Sequence, residues 1–144
     1  MLTPQTYYAI LFLVSAYAFL RGRSDERIAA ATCILATFAT NIVYTPSGSF
    51  VGVERGVMLV DVAALTAFTF LALRSDRFWP LWIAGLQLTT VIAHGLKAVQ
   101  LDLMPQAYAA AARFWVYPIF LIIVVGTFRS ARRRAARNRP LAAV

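Results

Sequence analysis

The stretch VMLVDVAALTAFTFLAL, residues 57–73, decides how this chain is read. It holds a single ionisable side chain, Asp61, and it stops at Arg74. At about 1.5 Å per residue the run covers roughly 26 Å as a helix, close to the hydrocarbon thickness of a bilayer. Its apolar residues are contiguous and do not alternate with polar ones, which excludes a barrel strand.

Working outward, four further apolar runs occupy residues 6–20, 28–44, 78–96 and 107–128, separated by short charged stretches. The 144 residues are 60% hydrophobic and only 14% charged, with a mean hydropathy of +0.68. Soluble domains sit nearer one half and one quarter, so the composition excludes most of them. The expected fold class is all-α: a polytopic membrane protein with a bundle of five transmembrane helices over 1–128 and a basic tail over 129–144.

The basic residues set the direction. No Lys or Arg precedes the first run, whereas Arg21, Arg23 and Arg27 follow it, the reverse of a signal peptide. The first run therefore reads as an uncleaved anchor with its N-terminus translocated. Five spans then place Arg21, Arg23, Arg27, Arg74, Arg77, Arg129, Arg132, Arg133, Arg134, Arg137 and Arg139 inside. Only Arg55, Lys97 and Arg113 fall outside, 3 of the 14 basic residues. That asymmetry predicts N-terminus outside, C-terminus cytoplasmic, in a plasma membrane of the bacterial inner-membrane type. The same placement explains the net charge of +8 without nucleic acid.

The inner loops share a tripeptide, Arg23-Ser24-Asp25 and Arg74-Ser75-Asp76, at tight turns where Ser or Asp can cap the next helix. Convergent turn chemistry explains it more simply than duplication. Residues 45–52 form a connector rich in Pro, Ser and Gly. Trp79, Pro80 and Trp82 mark an inner boundary, and Tyr7, Tyr8, Tyr44, Tyr108 and Trp115 mark outer ones, the expected aromatic belt. Pro118, inside the fifth run, is expected to kink it.

The intramembrane polar residues gather in the outer half. Gln87, Thr90, His94 and Lys97 step by three or four and form one helical stripe, as do Thr37, Asn41 and Tyr44 on the second run and Glu54, Met58 and Asp61 on the third. Arg113 and Tyr117 share a face of the fifth. A charge at such depth costs roughly 2.5–3.5 kcal/mol near a helix centre, so these groups need partners or water. The stripes are expected to turn inward, Asp61 pairing with Arg113 or Lys97 while His94 and Asn41 complete a network. The ligand or proton site candidates are then Asp61, His94, Asn41, Gln87 and Tyr117. Each has a plainer alternative: a structural ion pair for Asp61, an interfacial hydrogen bond for His94, snorkelling for Lys97 and Arg113, helix adhesion for Asn41. The arginines of 129–139 are expected to meet anionic lipid, unless they serve only to fix topology.

Recognisable chemistry is sparse. One His and one Cys, Cys33, give no metal-ligand spacing and no disulfide, and no phosphate-binding or nucleophile-elbow motif occurs. No cofactor or catalytic residue is expected. Two functions remain: a non-catalytic accessory or scaffold subunit of a membrane assembly, or a small oligomeric carrier or channel for protons or a small cation.

Overall fold

A computed structural model of the chain describes residues 4–43, 55–99 and 114–138. Among these the fold is all-α, with five helices: α1 (Pro4–Arg21), α2 (Ser24–Val43), α3 (Arg55–Arg74), α4 (Trp79–Val99) and α5 (Val116–Arg137). Two of them, α2 and α3, are long and apolar enough to cross a membrane. The expected runs and the helices agree within a few residues for the first four. The fifth differs: α5 begins at Val116 and continues through the arginines to Arg137. A boundary between bundle and tail at residue 128 thus cuts a continuous helix. Pro118 lies in the first turn of α5, just after a turn at Trp115, where its missing N–H leaves no intrahelical bond unmade.

The helices form a ring in which each packs on its neighbours in the chain or, for α5, on α1 and α4; α2 also touches α5. α1 and α5 run parallel, since Tyr7 lies against Phe120 and the Arg134 side chain reaches the Arg21 carbonyl oxygen, each pair 113 residues apart. The core is built from small residues, Ala18, Ala29, Ala30, Cys33 and Ala64, joined by Phe68, Ile83, Phe120 and Ile123. Small side chains let helix backbones approach closely, the packing used where lipid offers no hydrophobic drive to association. Large apolar side chains point outward from every helix: Phe12 and Leu13, Leu35 and Ile42, Leu59 and Leu73, Trp82, Leu121.

The connection from α1 to α2 is only Gly22 and Arg23, and it works because position 22 has no side chain. A Cβ there would stand 2.3 Å from the Ala18 carbonyl oxygen and 2.8 Å from the Glu26 Cβ. Gly22→Ala must therefore shift backbone, and it is expected to destabilise the protein by about 2 kcal/mol, the scale of overpacking, measured as a lowered denaturation midpoint in mild detergent.

Candidate functional site

The polar stripe of α4 faces inward: Gln87, Thr90 and His94 are all buried. Gln87 and His94 are two turns apart on one face, and Asp61 of α3 bridges them. His94 Nε2 lies 2.8 Å from Asp61 Oδ2, and Gln87 Nε2 donates to Asp61 Oδ1 at 3.0 Å and to the Asp61 carbonyl oxygen at 3.3 Å. Each carboxylate oxygen thus has a donor. The arrangement can hold a negative charge, or a proton shared with the imidazole.

The other candidates lie elsewhere. Asn41 does not join Asp61; its amide Nδ2 donates to the Tyr8 hydroxyl at 2.9 Å, tying α2 to α1 on an exposed face. One turn deeper, Thr37 donates to the Cys33 carbonyl oxygen at 2.8 Å, so the Tyr7 hydroxyl donates to Thr37, also at 2.8 Å. Tyr117 stacks edge-on to Phe120, with ring centroids 6.5 Å apart. Pairing of Asp61 with Arg113 or Lys97 cannot be followed, since those side chains, like Tyr44, Glu54 and Arg139, lie outside the described residues. Among the described residues Asp61 meets His94 and Gln87 of the facing helix α4.

A second polar cluster sits at the opposite end, and the sequence reading did not foresee it. Glu26 is fully buried, with 0% exposure. Its Oε2 accepts the Arg23 backbone N–H at 2.7 Å, the reach-back half of a capping box at the start of α2. Its Oε1 accepts from Ser130 Oγ at 2.6 Å and from Arg77 Nη1 at 2.9 Å. Arg77 Nη1 also donates to Ser130 Oγ, which closes a three-membered ring across α2, the α3–α4 turn and α5. Beside it Ser75 Oγ donates to Asp25 Oδ2 at 2.7 Å, so the two turns carrying the shared tripeptide touch each other. The visible signal was the position after each tripeptide: Glu26 in one copy and Arg77 in the other, opposite charges at equivalent places.

The two ends are tied differently. The bonds of the Asp61 and Tyr8 clusters join helices within one hairpin, α3 to α4 and α1 to α2. Those of the Glu26 cluster join one hairpin to the other and both to α5. Among the described residues no group of three or more His, Cys, Asp or Glu side chains is placed to hold a metal ion. Comparison of the chain with protein-family models, with curated proteins and with solved structures gives no match.

Proposed function

We propose that this chain is a multi-pass integral membrane protein, a five-span bundle with its N-terminus outside and its C-terminus cytoplasmic, serving as a non-catalytic accessory or scaffold subunit of a membrane assembly. One observation carries the reading: large apolar side chains cover the outside of all five helices, while Glu26, Ser130, Gln87, His94, Thr90 and Thr127 find their partners inside the bundle. Of the buried polar side chains among the described residues, only Ser15 and Trp79 do not. Backbone and side-chain polar groups in lipid must be satisfied internally. Thr32, Thr66 and Thr89 do so by donating to the carbonyl oxygen four residues back in their own helices. An apolar exterior of this extent on a soluble monomer would exceed any ordinary surface patch.

A reporter fused after residue 144 is expected to be active only on the cytoplasmic side, and one inserted in the 45–52 connector only outside. In mild detergent the protein is expected to co-purify in a defined ratio with other membrane proteins. Activity of the C-terminal reporter outside the cell would overturn the orientation, and a lone monomer in native mass measurement would overturn the subunit role.

The Asp61–His94–Gln87 geometry favours one second reading, a small oligomeric carrier for protons or a small cation. A carboxylate and an imidazole in contact inside an apolar bundle are the groups such carriers use. In that reading Asp61→Asn abolishes pH-dependent uptake into vesicles; in the subunit reading it lowers stability or assembly alone.

A further inference from the structure

The helix α5 carries five arginines between residues 129 and 137; Arg137 is exposed in the last turn, and the structure divides the other four into two kinds. Arg134 turns back to the bundle, its Nη2 donating to the Arg21 carbonyl oxygen at 3.0 Å. Arg129, Arg132 and Arg133 point away and are exposed, while Ser130 between them is buried in the ring with Glu26 and Arg77. The three exposed residues are spaced by three and four, so their guanidinium groups crowd one side of one helical turn. Like charges at that spacing repel, and the nearby carboxylates of Asp25 and Glu26 are already engaged elsewhere.

Depth follows from the parallel packing of α1 and α5. With Arg134 level with Arg21, a helix stepping at the same rise puts Arg132 and Arg133 level with Phe19 and Leu20, at the apolar end of α1. Side chains of a helix lean toward its N-terminus, which for α5 is toward the bilayer interior. Arg132 does this, its guanidinium carbon lying 5.8 Å from the centre of the Phe128 ring. The charges are thus held at headgroup level beside Leu20 and Phe128, both exposed.

We infer that Arg129, Arg132 and Arg133 form a binding face for the phosphate of an anionic lipid headgroup in the inner leaflet, and that the Glu26–Ser130–Arg77 ring positions α5 for it. The inference rests on the membrane reading above. The occupant is argued from charge and depth: three guanidinium groups with no carboxylate partner among the described residues, with bidentate donors suited to phosphate, at the level of headgroups and flanked by acyl-chain-sized apolar residues. It makes the 129–137 segment a fixed corner of the bundle rather than a tail trailing in solution.

The test uses the full chain in nanodiscs or mixed micelles, with phosphatidylglycerol against phosphatidylcholine as probes and bound lipid counted by native mass spectrometry. At about 1 kcal/mol per arginine near the surface, R129Q/R132Q/R133Q is expected to weaken phosphatidylglycerol binding by about 100-fold and leave phosphatidylcholine binding unchanged. The triple lysine variant should stay within about tenfold of wild type. Glu26→Gln, checked for helicity, should weaken phosphatidylglycerol binding with every arginine in place. Equal affinity for the two lipids, a glutamine variant that binds like wild type, or full displacement of the lipid by millimolar inorganic phosphate would each overturn the inference. Release of the protein from membranes by alkaline carbonate would instead bring down the membrane reading, and this inference with it. A protein that stays in the membrane but is indifferent to lipid charge defeats this inference alone.

Discussion

Arg77→Leu is expected to cost about 3–5 kcal/mol of stability, and more than Glu26→Leu, although the two residues share one ion pair. Breaking a buried pair is expensive in proportion to the charge left behind. Without Arg77, the Glu26 carboxylate keeps Ser130 and the Arg23 N–H but has no counter-charge, and it has no exposure through which to reach water. Without Glu26, the Arg77 guanidinium, already 20% exposed, can swing outward, so Glu26→Leu is expected to cost only about 1–3 kcal/mol. The double replacement by leucine should recover part of the Arg77→Leu loss, because two apolar side chains can fill the space that the ions occupied. Unfolding by sodium dodecyl sulfate in mixed micelles measures all three. Glu26→Leu proving the costlier single change would mean that Arg77 is held by more than the carboxylate, and the ring would lose its assignment as a charge clasp.

The contrast between the two clusters shows what could be read from residues alone. Asp61, His94 and Gln87 were legible as an inward-facing polar set because all three lie inside apolar runs, where a polar side chain is conspicuous, and because helical spacing sorts such residues onto faces; which of them Asp61 would bond was not, since Arg113 and Lys97 were the expected partners. The Glu26 ring was hidden because its members lie among loop charges, where ionisable residues are ordinary. The apolar run begins only at Ile28, whereas α2 begins at Ser24 and carries Glu26 into its first turn. Ser130 was submerged in an arginine run read as a tail. Its burial depends on α5 continuing past Phe128, which the alanine and arginine content favours, but that content does not say which side of the continued helix turns inward. Helix existence and hairpin order follow from the apolar runs. Which hairpin bonds to which is fixed by tertiary packing, and a single sequence holds little trace of it beyond the paired tripeptides.

His94→Leu is expected to destabilise the protein by about 3 kcal/mol, and Asp61→Leu by about 1 kcal/mol, the same asymmetry at the other end of the bundle. The reason is the difference between a carboxylate and an imidazole inside an apolar bundle. An aspartate left without His94 keeps only the Gln87 amide and, on the membrane reading, carries an insertion penalty of up to roughly 2.5–3.5 kcal/mol, the figure for a helix centre. An imidazole carries no obligatory charge and can stand in an apolar site as a neutral donor and acceptor. A double-mutant cycle on the two positions should give a coupling of about 1–3 kcal/mol, above the average of about 0.6 kcal/mol for hydrogen bonds between membrane helices. Equal losses from the two single changes, or a coupling near that average, would mean that the contact is a hydrogen bond between neutral partners. A strong, asymmetric coupling leaves the subunit and carrier readings both standing, and Asp61→Asn then separates them. In a carrier its cost falls on uptake at unchanged assembly. In a scaffold it falls on assembly, since the charge there serves only to hold α3 against α4.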